Sequence, residues 1–190
     1  NNGNGTIYYT TDGSDPRIPA SAAEVTEHVL IPEVTSKRAL MPNDNADNSS
    51  WFLADFNDSS WPTGTKGSGY DSANGRYQDI IDSSLNFGEQ ADSSKAETIY
   101  MRINFNVDDP SIYDTLSLKV RYDDGFVAYI NGTEVARDRA GGSPGTPLSY
   151  DATSSSSHTD SQAEDFQPFL ISQHIDLLKQ GNNVLAVHGL

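Results

Sequence analysis

The chain has 190 residues, 35% of them apolar, and its 27 acidic against 12 basic side chains give a formal net charge of −15. A surface this acidic repels phosphate backbones and anionic bilayers, so neither nucleic acid nor a membrane is an expected partner. With no cysteine in the sequence, disulfides, iron–sulfur clusters, thiolate zinc sites and a cysteine nucleophile are excluded.

Ser, Asn, Asp and Gly are abundant, and no apolar run is long enough to cross a bilayer as a helix. The length suits one domain, and the composition suits a loop-rich β protein with enough aliphatic and aromatic residues for one core. The chain opens on the stretch "GTIYYTTDGSDPR", in which Ile7, Tyr8 and Tyr9 are β-prone and Asp12-Gly13 with Asp15-Pro16 forms a turn. This stretch resembles the strand-and-turn signature of the chitobiase/β-hexosaminidase C-terminal-like domain. The resemblance implies that residues 1–28 are the end of such a domain plus a linker, within a larger polypeptide.

From residue 29 onward the texture changes to short strands between turn clusters. The segment "NDNADN" spaces oxygen-bearing side chains as calcium prefers. Asn45 and Asp47, with Asp55 further on, are therefore the expected ligands if one structural calcium is held. The segment lacks the glycine and later glutamate of an EF-hand loop, and an Asn/Asp-rich turn accounts for it as well. Trp51, Trp61, Tyr70 and Tyr77 follow in polar, turn-rich sequence; Trp61 in "FNDSSW" reads as a core anchor.

Residues 97–107, "ETIYMRINFNV", alternate with period two. Ile99, Met101, Ile103, Phe105 and Val107 take one face, and Tyr100, Arg102, Asn104 and Asn106 the other. "TLSLKVRY" repeats the pattern with Leu116, Leu118, Val120 and Tyr122 inward. "FVAYI" is nearly all apolar, as in a central strand, and Asn131-Gly132 predicts a type I′ hairpin into "TEVAR". Residues 138–165 are rich in Gly, Pro and Ser without any period and read as a long loop. The strands "FQPFLIS" and "NNVLAVHG" close the chain. Between them "SQHIDLLKQG" reads as one short helix, with Ser172 as its N-cap, Ile175 and Leu178 inward and Gly181 as its stop.

The expected fold is thus all-β, an antiparallel β-sandwich with one short helix. The span 29–190, from "FNDSSW" through "RYDDGFVAYINGTEVAR" to "GNNVLAV", resembles the galactose-binding-domain-like jelly rolls found in carbohydrate-binding modules and bacterial β-glycosidases. The resemblance implies a secreted or cell-surface module that binds polysaccharide, beside other domains of its own polypeptide. It also implies a further edge strand beyond Leu190.

Catalytic constellations are not legible. Asp123 and Asp124 lie between two strands just before Gly125 and read as a turn; adjacent residues on a strand point to opposite faces and make a poor pair for glycoside cleavage. His28, His158, His174 and His188 are scattered, and "ATSSSSH" lacks the strand–turn–helix setting of a serine nucleophile. The chain is therefore expected to be non-catalytic. Sugar binding by a sandwich uses aromatic faces with Arg, Asp and Asn on the hydroxyls. The residues expected to bind are Trp51, Tyr70, Arg76 and Tyr77, with Arg137, Tyr150 and His158 from the long loop. A structural or protein–protein spacer is the competing expectation.

Overall fold

The computed structural model describes residues 26–45, 47–70, 75–88 and 98–190. The expected domain remnant, including Ile7–Tyr9 and its turn, falls almost wholly outside the described residues.

Ten strands run in chain order: β1 (Lys37–Leu40), β2 (Thr63–Gly64), β3 (Gly67–Gly69), β4 (Ile81–Asn86) and β5 (Ile99–Val107), then β6 (Ser117–Val120), β7 (Phe126–Ile130), β8 (Thr133–Asp138), β9 (Gln167–Leu170) and β10 (Gly181–Gly189). One sheet has six strands in the order β2-β1-β5-β10-β7-β8, all antiparallel. The facing layer consists of two separate pairs, β3–β4 (parallel) and β6–β9 (antiparallel). The expected all-β sandwich is observed.

The period-two pattern of β5 sets which side chains meet the second layer. Ile103, Phe105 and Val107 join Phe126, Ala128 and Ile130 of β7 and Leu185 of β10 in one core cluster, beneath Leu118, Val120 and Phe169 of the β6–β9 pair. Ala39, Leu85 and Phe87 form a smaller cluster under β3–β4, and Met101 packs against both. Each fully buried aliphatic or aromatic side chain contributes roughly 1.5–3 kcal/mol of transfer free energy. Pro168 sits opposite Lys119 on a two-stranded pair, where a missing N–H costs little.

The hairpin forms as expected, with Asn131 at φ 49° and Gly132 at φ 92° between paired Ile130 and Thr133. Asn131 does more than turn: its side-chain amide donates to the Leu177 carbonyl and to Asn183 Oδ1, each at 2.8 Å. The expected helix near the C-terminus is a 3-10 helix, Ser172–Leu177, and Ser172 is its first residue rather than its cap. Ser172 Oγ instead accepts from the Leu116 N–H at 3.0 Å, tying the turn to the start of β6. Two further short helices occur among the described residues, a 3-10 helix at Pro110–Ile112 and α1 (Asp160–Ala163) at the end of the long loop.

The other face of the large sheet is not left to solvent. Residues 47–61 fold over it and bury Trp51, Phe52 and Trp61 against Tyr100, Val127, Tyr129 and Ala186. Trp51 stacks on Tyr100 with ring centroids 4.1 Å apart and planes 3° from parallel, and Phe52 stacks on Tyr129 at 4.5 Å. The long loop is held down as well. Arg137 pairs with Glu134 and donates to the Gly141 carbonyl, while Glu134 accepts from the Gly145 N–H. Burial alone would raise the Glu134 carboxyl, but the Arg137 and Gly145 hydrogen bonds outweigh it and hold it below its ordinary value.

Candidate functional site at the cleft mouth

Between the two pairs of the second layer lies a cleft of about 2200 Å³. Gly67, Ser68 and Gly69 of β3 line one side, Leu118 and Val120 of β6 the other, with Ile99 and Met101 of β5 among the residues beneath. Three expected binding residues, Tyr70, Arg76 and Tyr77, are brought together here. Tyr70 follows β3 and is 44% exposed. Arg76 and Tyr77 lie in the turn that enters β4 through the Tyr77 carbonyl, which accepts from Ile80 and Ile81 N–H at 2.9 and 2.8 Å.

Opposite them stand groups contributed by β6 and the long loop. Arg76 makes a short ion pair with Glu164 and a second with Asp160 at 3.6 Å. The Tyr77 hydroxyl lies 3.5 Å from the Asp160 carbonyl and interacts with the Asp123 carboxylate. Burial, with the charges of Asp123 and Asp160, pushes the Tyr77 hydroxyl up to about 12, so it stays a neutral donor. Burial and the neighbouring Asp124 charge raise the Asp123 carboxyl above its ordinary value. Arg121 stacks its guanidinium over the exposed Phe166 at 4.1 Å and pairs with Glu33.

The mouth therefore presents Tyr70, Tyr77 and Phe166 as aromatic surfaces among guanidinium and carboxylate groups. Aromatic faces take sugar C–H surfaces, and fixed carboxylates and guanidinium groups take hydroxyls. Asp123, Asp160, Glu164, Arg121 and Phe166 are not among the binding residues expected from sequence. A signal existed for two of them: Asp160 and Glu164 are four apart in "TDSQAED", the spacing that places side chains on one helical face.

Four expected site residues lie elsewhere. Trp51 is 1% exposed, and its ring is enclosed by Tyr100, Phe52, Tyr129 and His188, so it builds the core rather than meeting a ligand. His158 is 5% exposed and stacks on Tyr122 at 4.4 Å, with Nδ1 2.8 Å from the Tyr122 carbonyl. Arg137 is committed to Glu134 and the loop backbone. Tyr150 packs against the Trp51 cluster, and its N–H reaches Asn45 Oδ1 at 3.4 Å.

Asp123 and Asp124 are also explained. Asp124 adopts φ 66°, the Asp123 carboxylate accepts from the Asp124 N–H, and Asp124 Oδ1 accepts from the His158 N–H at 2.9 Å. The pair turns the chain and pins the long loop. For calcium, Asn45 Oδ1 is engaged by Ser149 Oγ and Tyr150 N–H, and Asp55 is exposed. Among the described residues no three His, Cys, Asp or Glu side chains gather as a metal set.

Comparison with known proteins adds a terminal match and distant folds. A family model described as Fn3 associated matches residues 1–52, a span that crosses the boundary expected near residue 28. No curated protein matches the chain. Among solved structures, similarity is found to a β-glucuronidase of an uncultured Clostridium sp. at 16% identity and TM-score 0.47, covering 82% of this chain and 21% of that one. The exo-chitosanase CsxA of Amycolatopsis orientalis gives 14% and 0.47, covering 83% and 16%. A glycosyl hydrolase family 2 member of Bacteroides cellulosilyticus DSM 14838 gives 12% and 0.40, covering 82% and 16%. The chain spans about a fifth or less of these enzymes, and likeness at this level transfers neither activity nor site.

Proposed function

We propose that this chain is a non-catalytic carbohydrate-binding module of a larger secreted or cell-surface protein, and that it holds polysaccharide at the cleft mouth. The observation that carries the reading is the convergence there of exposed Tyr70 and half-buried Tyr77 with Arg76, Asp123 and Asp160, drawn from three separate segments. Tyr70 and Tyr77 supply ring faces, and the Arg76, Asp123 and Asp160 side chains meet hydroxyls. Charged groups at the mouth must shed water to meet hydroxyls, so affinity is expected in the micromolar to millimolar range, roughly −4 to −8 kcal/mol.

One observation favours a second reading, a structural spacer: both tryptophans are buried, leaving tyrosine and phenylalanine as the exposed aromatic surface. Affinity electrophoresis and a glycan array against neutral and anionic plant, algal and chitin-type polysaccharides separate the two. Retention by the native chain that is weakened several-fold in Tyr70→Ala, with an unchanged melting temperature, supports the binding module. No retention on any polysaccharide supports the spacer.

A further inference from the structure

The second layer of this sandwich is not one sheet. No backbone hydrogen bond among the described residues joins β3 or β4 to β6 or β9, and the large cleft opens where a continuous ladder would run. The cleft of about 2200 Å³ over Ile99, Met101 and Leu118 opens to solvent, and with no ladder across it these two walls are joined through side chains.

Across the mouth, the turn before β4 is joined to the other side by side chains. Arg76 reaches both Glu164 and Asp160, one helical turn apart at α1, and Tyr77 reaches Asp160 and Asp123. Arg76 and Glu164 are both about 40% exposed. Exposed pairs of this kind are weak, screened by salt and quickly broken, unlike a ladder. The backbone on each side closes on itself: Ile80 and Ile81 N–H bond to Tyr77, and Gln162 and Ala163 N–H to Thr159. Neither side is hydrogen-bonded to the other through its backbone, so opening the bridge leaves the short β3–β4 ladder to fray on its own.

We propose that Arg76, clasping Asp160 and Glu164, is a releasable latch that closes the cleft between the two halves of the second layer. Release parts the β3–β4 pair from α1 and uncovers the apolar floor. The latch follows from the split layer and the ion pairs alone, independently of what the cleft binds.

The test is amide hydrogen exchange with hydrophobic-dye fluorescence on the full chain. Arg76→Ala raises dye fluorescence and speeds exchange at Gly67, Ile81 and Phe87 by about three- to tenfold, while amides of β5 and β10 are unchanged. Going from low salt to 1 M salt does the same to the native chain and has little further effect on Arg76→Ala. Arg76→Lys, which keeps a positive charge between Asp160 and Glu164, holds exchange close to native, which a merely damaged fold would not. Native-like exchange in Arg76→Ala, acceleration spread equally over β5 and β10, or Arg76→Lys exchanging as fast as Arg76→Ala overturns the latch. Glycan retention is read separately, so loss of binding with an intact latch indicts the proposed function and not this inference.

Discussion

Arg102 and Asp58 form a nearly solvent-free ion pair on the face of the large sheet away from the cleft. Arg102 is 2% exposed, and its Nε donates to Asp58 Oδ2 at 2.8 Å. Its Nη1 also donates to the carbonyls of Trp51 and Leu53 at 2.5 and 2.9 Å. Arg38, directly across the strand pair from Arg102, reaches the same aspartate at 3.4 Å. One carboxylate thus separates two like charges on neighbouring strands and anchors the segment that carries both tryptophans.

Removing either partner should therefore unfold the capping segment. Asp58→Ala leaves two arginines facing each other with one buried, and Arg102→Ala leaves carbonyls without donors. Each is expected to lower stability by about 3–5 kcal/mol in urea denaturation, the usual cost of breaking a buried pair. Asp58→Asn, which keeps an acceptor but not the charge, should fall between.

The hairpin offers a backbone prediction. Gly132 sits at φ 92°, and a Cβ there would lie 2.9 Å from Leu53 Cδ2. Gly132→Ala is expected to cost about 1–2 kcal/mol through left-handed strain and displacement of Leu53, read as a lowered urea midpoint with unchanged slope.

His188 predicts a dependence on pH. It is 1% exposed, packs edge-on to Trp51 and Tyr100, and its Nε2 has no hydrogen-bond partner. Burial depresses its titration from 6.5 to about 4. The unfolded chain then takes up the proton first, so the contribution is complete above pH 6.5 and declines as pH falls toward 4. The linked loss is about 3 kcal/mol. Relative to the native chain, His188→Phe should gain about 3 kcal/mol of stability as the pH is lowered from 6.5 to about 4.

The two kinds of aromatic should behave oppositely. Trp51→Ala removes a core ring and should cost about 3–5 kcal/mol of stability. Tyr70→Ala, at an exposed position, should change stability by under about 0.5 kcal/mol. It should still weaken retention on polysaccharide several-fold.

Much of the architecture was readable in the chain itself. Period-two alternation fixes which face of β5 and β6 turns inward, because successive side chains on a strand must point oppositely. Asn131-Gly132 specifies its turn because both residues accept positive φ. Local rules do not say what covers the second face of a sheet. Arg102 and Tyr100 read as the polar side of an alternating strand, yet the tertiary structure buries them because residues 47–61 bring Asp58 and Trp51 onto them. Trp51 and His158 read as binding candidates for the same reason: their turn-rich neighbours carry no record of the rings that cover them, Tyr100 on β5 and Tyr122 just after β6, 49 and 36 residues away. Tyr70 and Tyr77, with Arg76 beside them, are legible as candidates because aromatics in polar, glycine-flanked sequence stand out locally. That Asp123, Asp160 and Glu164 face them depends on how distant strands pair, which sequence spacing alone does not encode.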